Sequence, residues 1–189
     1  MSRKDGDRAL SKRLSYLLRH RPDVAGLALD ARGWVSIDAL LAGLARGGKA
    51  TTRQAVARVV ARNDKQRFAI SDDGLRIRAN QGHSVTVDLG LEPVAPPDVL
   101  FHGTVSKHLD GIWAEGLRPQ GRHHVHLSAD RVTAMKVGAR RGRPVLLVVD
   151  AAAMAGQGHL FYRSANRVWL TDAVAPEYLG FDPGREPRG

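Results

Sequence analysis

The chain has 189 residues, enough for one large domain or two small ones of about 90 residues each. It is 43% hydrophobic and 25% charged, a globular balance, and its 29 Lys and Arg against 19 Asp and Glu leave a net charge of +10 that favours a polyanionic partner, nucleic acid first. The absence of cysteine excludes disulfides, Cys-ligated zinc, iron–sulfur clusters and thiol nucleophiles, and with no apolar run of about 18 residues and no signal-peptide pattern the chain reads as cytoplasmic, with no membrane partner.

Leu10, Leu14, Leu17 and Leu18 fall on one face of a helix, and Pro22 stops it by disfavouring helical geometry at Arg21. The spacing therefore predicts Arg19 and His20 in the last helical turn. Cations there complement the negative end of the helix dipole, an effect of roughly 0.3–1 kcal/mol; to form an anion site they need partners elsewhere in the chain. Gly33-Trp34-Val35 reads as a short extended piece, and Ser36 as the cap of a second helix from Ile37 to Leu44 that stops at Gly47-Gly48. Thr51 to Gln54 reads as a capping box. The third helix that follows is predicted to bury Ala55, Val56, Val59 and Val60 and to carry Arg53, Arg58 and Arg62 on its outer surface. Phe68 to Ile70 and Leu75 to Arg78 read as two strands of a hairpin turning through Ser71-Asp72-Asp73-Gly74. Three helices and a hairpin are the order of a winged helix, a module that commonly binds nucleic acid through its third helix and wing and elsewhere serves only for packing.

Glu92-Pro93-Val94-Ala95-Pro96-Pro97 is the proline-dense segment and the predicted boundary, giving a first lobe over 1–92, a linker over 93–97 and a second lobe over 98–189. Beyond it the expected pattern is short strands around one or two helices. A strand from Val99 to His102 precedes a helix with Leu109, Ile112 and Trp113 inward and a strand from Val125 to Ser128. A helix from Ala129 to about Arg140, capped by Ser128, leads to a buried strand from Pro144 to Asp150. Further strands are expected near Leu160 to Arg163, Val168 to Thr171 and Tyr178 to Phe181, followed by a frayed tail from Asp182 to Gly189.

Three polar clusters accompany the Arg19-His20 pair. Asn63 to Phe68 is a polar run ending in Arg67; Phe101-His102-Gly103-Thr104 closes a strand where glycine lets a ligand approach the backbone. Gly121 to Ser128 holds three histidines, yet alternation puts His124 and His126 on one face and His123 on the other. No metal site is expected, and if the strand begins early enough the same parity places Arg122 beside His124 and His126, a grouping suited to a phosphate-bearing ligand. There is no Walker loop, no GxGxxG and no GxSxG, which argues against standard nucleotide hydrolysis and Rossmann redox chemistry.

Leu17-Leu18-Arg19-His20, Asn63-Asp64-Lys65-Gln66-Arg67-Phe68, Gln81-Gly82-His83-Ser84, Phe101-His102-Gly103-Thr104, His124-Val125-His126-Leu127-Ser128 and Val168-Trp169-Leu170-Thr171 occur in the order and approximate spacing of the NAD-dependent RNA 2′-phosphotransferases. From about Leu10 to Leu179 the chain resembles that family. The resemblance implies an α+β protein with an N-terminal winged-helix lobe and a C-terminal ADP-ribosyltransferase-like mixed β lobe, with the active site in the cleft between them. It implies Arg19, His20, Arg67 and Arg122 as the catalytic set, Arg118 being the other arginine near the last position. His102, Gly103 and Thr104 match one NAD-binding segment and His126, Leu127 and Ser128 the second. NAD is then a co-substrate, RNA with an internal 2′-phosphate is the partner, spliced tRNA is the substrate the family name suggests, and the protein is expected to be a monomer.

The reaction implied has two steps. An internal RNA 2′-phosphate attacks the anomeric carbon of the nicotinamide ribose, expelling nicotinamide and leaving 2′-phospho-ADP-ribosylated RNA. The neighbouring ribose hydroxyl then attacks that phosphate, giving 2′-hydroxyl RNA and ADP-ribose 1″,2″-cyclic phosphate. Related ADP-ribosyltransferases often place a glutamate on a late strand, but no carboxylate occurs from Asn166 to Thr171. A phosphate nucleophile explains this, since it is already anionic and requires positioning rather than a base. Two other readings are open: NAD-dependent ADP-ribosylation of terminal phosphates of RNA or DNA, and a non-enzymatic winged-helix nucleic-acid-binding protein that senses NAD.

Overall fold

The computed structural model describes residues 3–63 and 65–182. The chain forms two compact units, Met1–Leu91 and Glu92–Gly189, each a mixture of helices and small antiparallel sheets. The protein is thus α+β.

In the first unit, α1 (Arg3–Arg19), α2 (Ile37–Arg46) and α3 (Arg53–Ala61) pack with a three-stranded sheet of β1 (Val35–Ser36), β2 (Phe68–Ile70) and β3 (Arg76–Ala79). The strand order is β1-β3-β2, with both pairs antiparallel. Leu14, Leu17 and Leu18 from α1 meet Ile37, Leu40 and Leu44 from α2, Val56 and Val59 from α3, and Phe68 and Ile77 from the sheet in one buried core. The apolar periodicities therefore mark the packed faces, with Ala55 and Val60 only partly buried. The Ser36 hydroxyl caps α2 by accepting from Ala39 N–H.

Three local expectations need correcting. His20 lies one residue past the end of α1. The cap of α3 is Thr52, whose hydroxyl accepts from Ala55 N–H at 3.1 Å, so Gln54 is not in the capping-box position. Arg58 is not an outer-surface decoration. Its guanidinium grips Asp7 of α1 through three hydrogen bonds of 3.0–3.3 Å, and Arg53 joins α3 to Asp38 and to the Gly74 carbonyl.

In the second unit, β4 (Val99–Val105), β6 (Pro144–Asp150) and β9 (Leu179–Phe181) form one antiparallel sheet in the order β4-β6-β9. β5 (Val125–Leu127), β8 (Trp169–Thr171) and β7 (Tyr162–Arg163) form the other, in the order β5-β8-β7. A pair of backbone hydrogen bonds of 2.9 Å between Phe101 and Ser128 joins the sheets. Leu100, Leu127, Leu147, Val149, Met154, Phe161 and Trp169 centre the core, with Leu109, Ile112 and Trp113 of α4 (Leu109–Glu115) packed against it.

Here α5 (Arg131–Gly138) begins later than expected because Asp130, not Ser128, caps it, accepting from Thr133 N–H at 2.7 Å. A short helix α6 (Ala151–Gly156), capped by Asp150, had no counterpart in the sequence reading. The expected linker segment is held in this unit, since Pro93 bridges Tyr162 and Val94 N–H donates to the Phe161 carbonyl. Most of the tail expected to fray, from residue 183 on, lies outside the described residues.

Candidate active site

The last turn of α1 leaves carbonyls without intrahelical donors, and the segment Gln81 to Ser84 supplies one. Ser84 N–H donates to the Arg19 carbonyl at 2.9 Å, bringing the Ser84 hydroxyl to 2.9 Å from His20 Nδ1. Ser84 thus fixes the orientation of the imidazole, a contact between residues 64 positions apart that no local pattern foretells. The Arg19 guanidinium lies against the same segment, its Nη1 3.6 Å from where a Cβ on Gly82 would stand. Its Nη2 reaches the Arg67 carbonyl at 3.5 Å.

Arg67 precedes β2 and is held from both sides. Its carbonyl accepts from Asn80 N–H at 2.9 Å, and its Nη1 donates to Asn63 Oδ1 at 3.4 Å. Asn80 also donates from its side chain to the Gln66 carbonyl at 2.6 Å. Three runs singled out in the sequence, around Arg19-His20, Asn63 to Phe68 and Gln81 to Ser84, therefore converge in the first unit. The product is a knot of two guanidiniums and an imidazole, each partly exposed. Forked donors of this kind suit an oxyanion such as a phosphate.

The second unit assembles the histidine-bearing segments. The Phe101–Ser128 bridge sets β4 beside β5, and His102 Nδ1 lies 3.2 Å from the His126 carbonyl. A carbonyl only accepts, so Nδ1 carries the proton. Burial pushes the His102 pKa below its ordinary 6.5, with the neighbouring Arg141 acting in the same direction and the His126 carbonyl opposing. The ring is therefore neutral near pH 7 and presents Nε2 as an acceptor. His126 Nδ1 in turn lies 3.0 Å from the His124 carbonyl.

Gly103 has a clear physical requirement. A Cβ there would lie 1.8 Å from the Ala134 carbonyl oxygen of α5, so glycine is needed for the helix to pack on β4. That packing accounts for the glycine without a ligand. Its peptide groups are another matter. Phe101 points N–H and C=O at Ser128, and strand alternation turns those of Gly103 to the same side, toward the level of His126 in β5, because the bridge is antiparallel. Thr104 is buried, and the Leu127 side chain belongs to the core.

Arg122 sits in the bend before β5, which starts only at Val125, so strand parity does not reach it. It remains solvent-accessible at the surface, yet surrounding protein lowers its pKa, and Arg141 and Arg140 add to that. The run Arg140-Arg141 was not singled out in the sequence reading; two arginines directly after a helix are its only local signal. Arg118 is tied to the Glu115 carbonyl at 3.1 Å. His124 packs edge-on against Tyr162 and faces the exposed Asp172 at 3.7 Å. Among the described residues, no group of three or more His, Asp or Glu stands close enough to hold a metal ion.

A profile of the family described as "RNA 2'-phosphotransferase, Tpt1 / KptA family" matches residues 5–173. The chain belongs to this family. It is 58% identical over 169 residues to a protein of Hahella chejuensis, covering 89% of this chain and 91% of the relative. A protein of Streptomyces coelicolor is 59% identical over 172 residues, 91% of this chain and 93% of its own length. One from Pseudomonas aeruginosa is 55% identical over 170 residues, with 89% and 93% covered. Each carries the description "Probable RNA 2'-phosphotransferase". The family match spans every residue of both clusters, from Arg19 through Ser128.

Proposed function

We propose that the protein transfers an internal RNA 2′-phosphate to NAD in two steps, through a 2′-phospho-ADP-ribosylated RNA. The products are 2′-hydroxyl RNA, nicotinamide and ADP-ribose 1″,2″-cyclic phosphate. The observation that carries the reading is the convergence of Arg19, His20 and Arg67, within a chain of this family. In the same reading the first unit is a winged-helix lobe and the second an ADP-ribosyltransferase-like lobe. The protein works as a monomer.

Arg19 and Arg67 hold the 2′-phosphate oxygens, and Arg122 is assigned as the third arginine on that phosphate. His20, oriented through Nδ1 by Ser84, presents its other nitrogen to the phosphate. These charge-assisted donors bind the nucleophile in the first step and stabilise the crowded phosphorus centre in the second. No general base is needed for the first step, since the phosphate is already anionic.

NAD supplies an anomeric carbon with a good leaving group. The residues of the second unit fit it: the neutral His102 accepts from a ribose hydroxyl through Nε2, and Gly103 follows it in the segment that the resemblance assigns to the nicotinamide ribose and carboxamide. Thr104, His126, Leu127 and Ser128 shape the same segment, with Leu127 contributing from the core side. The arginines around Arg122 suit the diphosphate.

Incubation with NAD and a short RNA carrying one internal 2′-phosphate tests the proposal. Wild-type protein should release nicotinamide and convert the RNA to its 2′-hydroxyl form. Accumulation of ADP-ribosylated RNA would instead favour terminal-phosphate modification, and no nicotinamide release a binding protein. Arg67→Ala should lower turnover by about a hundredfold with an unchanged melting profile; an unchanged rate would remove Arg67 from the clamp.

A further inference from the structure

We infer that the outer face of the three-stranded sheet in the first unit, centred on Trp34, Arg78 and Arg32, binds the single-stranded RNA that flanks the reactive nucleotide. The inference rests on RNA being the substrate class and adds where the strand runs.

The inner face of this sheet, Val35, Ile77 and Phe68, is buried in the core. Alternation puts Trp34, Ser36, Ala69, Arg76 and Arg78 on the other face, where the bulky groups are one indole and two guanidiniums. The Arg78 guanidinium stacks 4.6 Å from the Trp34 ring centre, and that of Arg76 lies 5.6 Å away. Such a stack is a platform for a nucleobase, which packs equally on an aromatic ring or a guanidinium plane. Beside it a groove of about 510 Å³ is lined by Trp34, Ala69, Ile70, Ser71, Asp72, Asp73 and Arg76, its two aspartates lying in the hairpin turn.

The charges on this face are incompletely matched. Asp30 lies 3.8 Å from Arg76, while Arg78, partly buried, keeps its Nε shielded from water with no hydrogen-bond acceptor. Burial disfavours the Arg78 cation first and the exposed Arg32 adds to that, with Asp30 opposing. An anion between Arg32 and Arg78 offsets what burial and Arg32 cost the Arg78 cation. On α3, the usual nucleic-acid helix of this element order, the arginines already have carboxylates: Arg58 and Arg62 share Asp7, and Arg53 holds Asp38. The sheet, not the third helix, is therefore where phosphates find unmatched cations. Arg78 pairs with Ala69, two rungs from the Arg67–Asn80 contact, or about 7 Å along the strand. A strand whose 2′-phosphate sits at Arg67 thus continues onto this face.

The test is equilibrium binding of the full-length protein to a fluorescent, unmodified single-stranded RNA 12-mer, without NAD, across a salt series. Lacking a 2′-phosphate and any reaction, this assay reads the surface even if the transfer chemistry fails. Arg32→Ala combined with Arg78→Gln should weaken binding at least tenfold at low salt. It should also reduce the salt slope by about 1.4, the value for two lost phosphate contacts on a single strand. Arg53→Ala with Arg62→Ala should leave both unchanged. Arg32→Ala alone, at an exposed position, should lower the slope by about 0.7 and serves if the double variant melts early. Unchanged binding by the sheet variants, a larger loss from the α3 variants, or no binding by wild type would overturn the inference.

Discussion

Ser84 and His102 show how a single contact sets the orientation or the charge of an imidazole. Ser84 holds Nδ1 of His20 while its backbone docks the 81–84 segment on α1, so Ser84→Ala removes the first role and keeps the second. Turnover should fall about tenfold through loss of imidazole orientation, with KM little changed; steady-state kinetics on the 2′-phosphorylated RNA check this. His102 has a folded pKa below the ordinary 6.5, so the unfolded chain binds more protons in the window between the two values. Its contribution to stability is complete above 6.5 and is lost as the pH falls through the lowered value. His124 moves in the same direction, from burial first, with Asp172 opposing. Melting temperature should therefore decline on acidification below 6.5, and His102→Gln should flatten that decline.

At the scale of elements, Gly103 shows how closely α5 packs on β4. A methyl group there collides with the α5 backbone at Ala134, which cannot rotate away as a side chain can. Gly103→Ala should cost about 3 kcal/mol, read by urea unfolding. Much of the element order was legible, because apolar residues at helical spacing in α1, α2 and α3 mark the packed faces; the apolar run of β6 marks a strand too, but only Leu147 and Val149 in it are buried, since one face alone meets the core. Caps were less so. Thr51 and Thr52 are equally able to cap, as are Ser128 and Asp130, and only the path of the incoming chain selects between them. The α6 helix is six residues of mostly alanine and glycine, too short for periodicity to show. Contacts far apart in sequence, such as Arg58 with Asp7, left no local trace. The pairing of Arg76 and Arg78 on one sheet face was readable from strand alternation, but their meeting with Trp34 depended on β1 joining β3.

For the whole molecule, the candidate-site runs were legible because arginine and histidine in short polar runs stand out against the apolar periodicity around them. Arg19, His20 and Arg67 come together as expected of partners in an anion site, and His102 meets the segment of His126. Arg122 was the harder assignment, since it lies in a bend rather than on the strand. The net charge of +10 takes on a location as well as a sign, divided between the anion knot, the outer sheet face and the arginines around Arg122. The most direct measurement follows a radiolabelled internal 2′-phosphate on a short RNA incubated with the protein and NAD. The account predicts that the label leaves the RNA in a small NAD-derived product, one nicotinamide being released for each phosphate transferred. Label that stays on the RNA, or leaves as inorganic phosphate without nicotinamide, would contradict it.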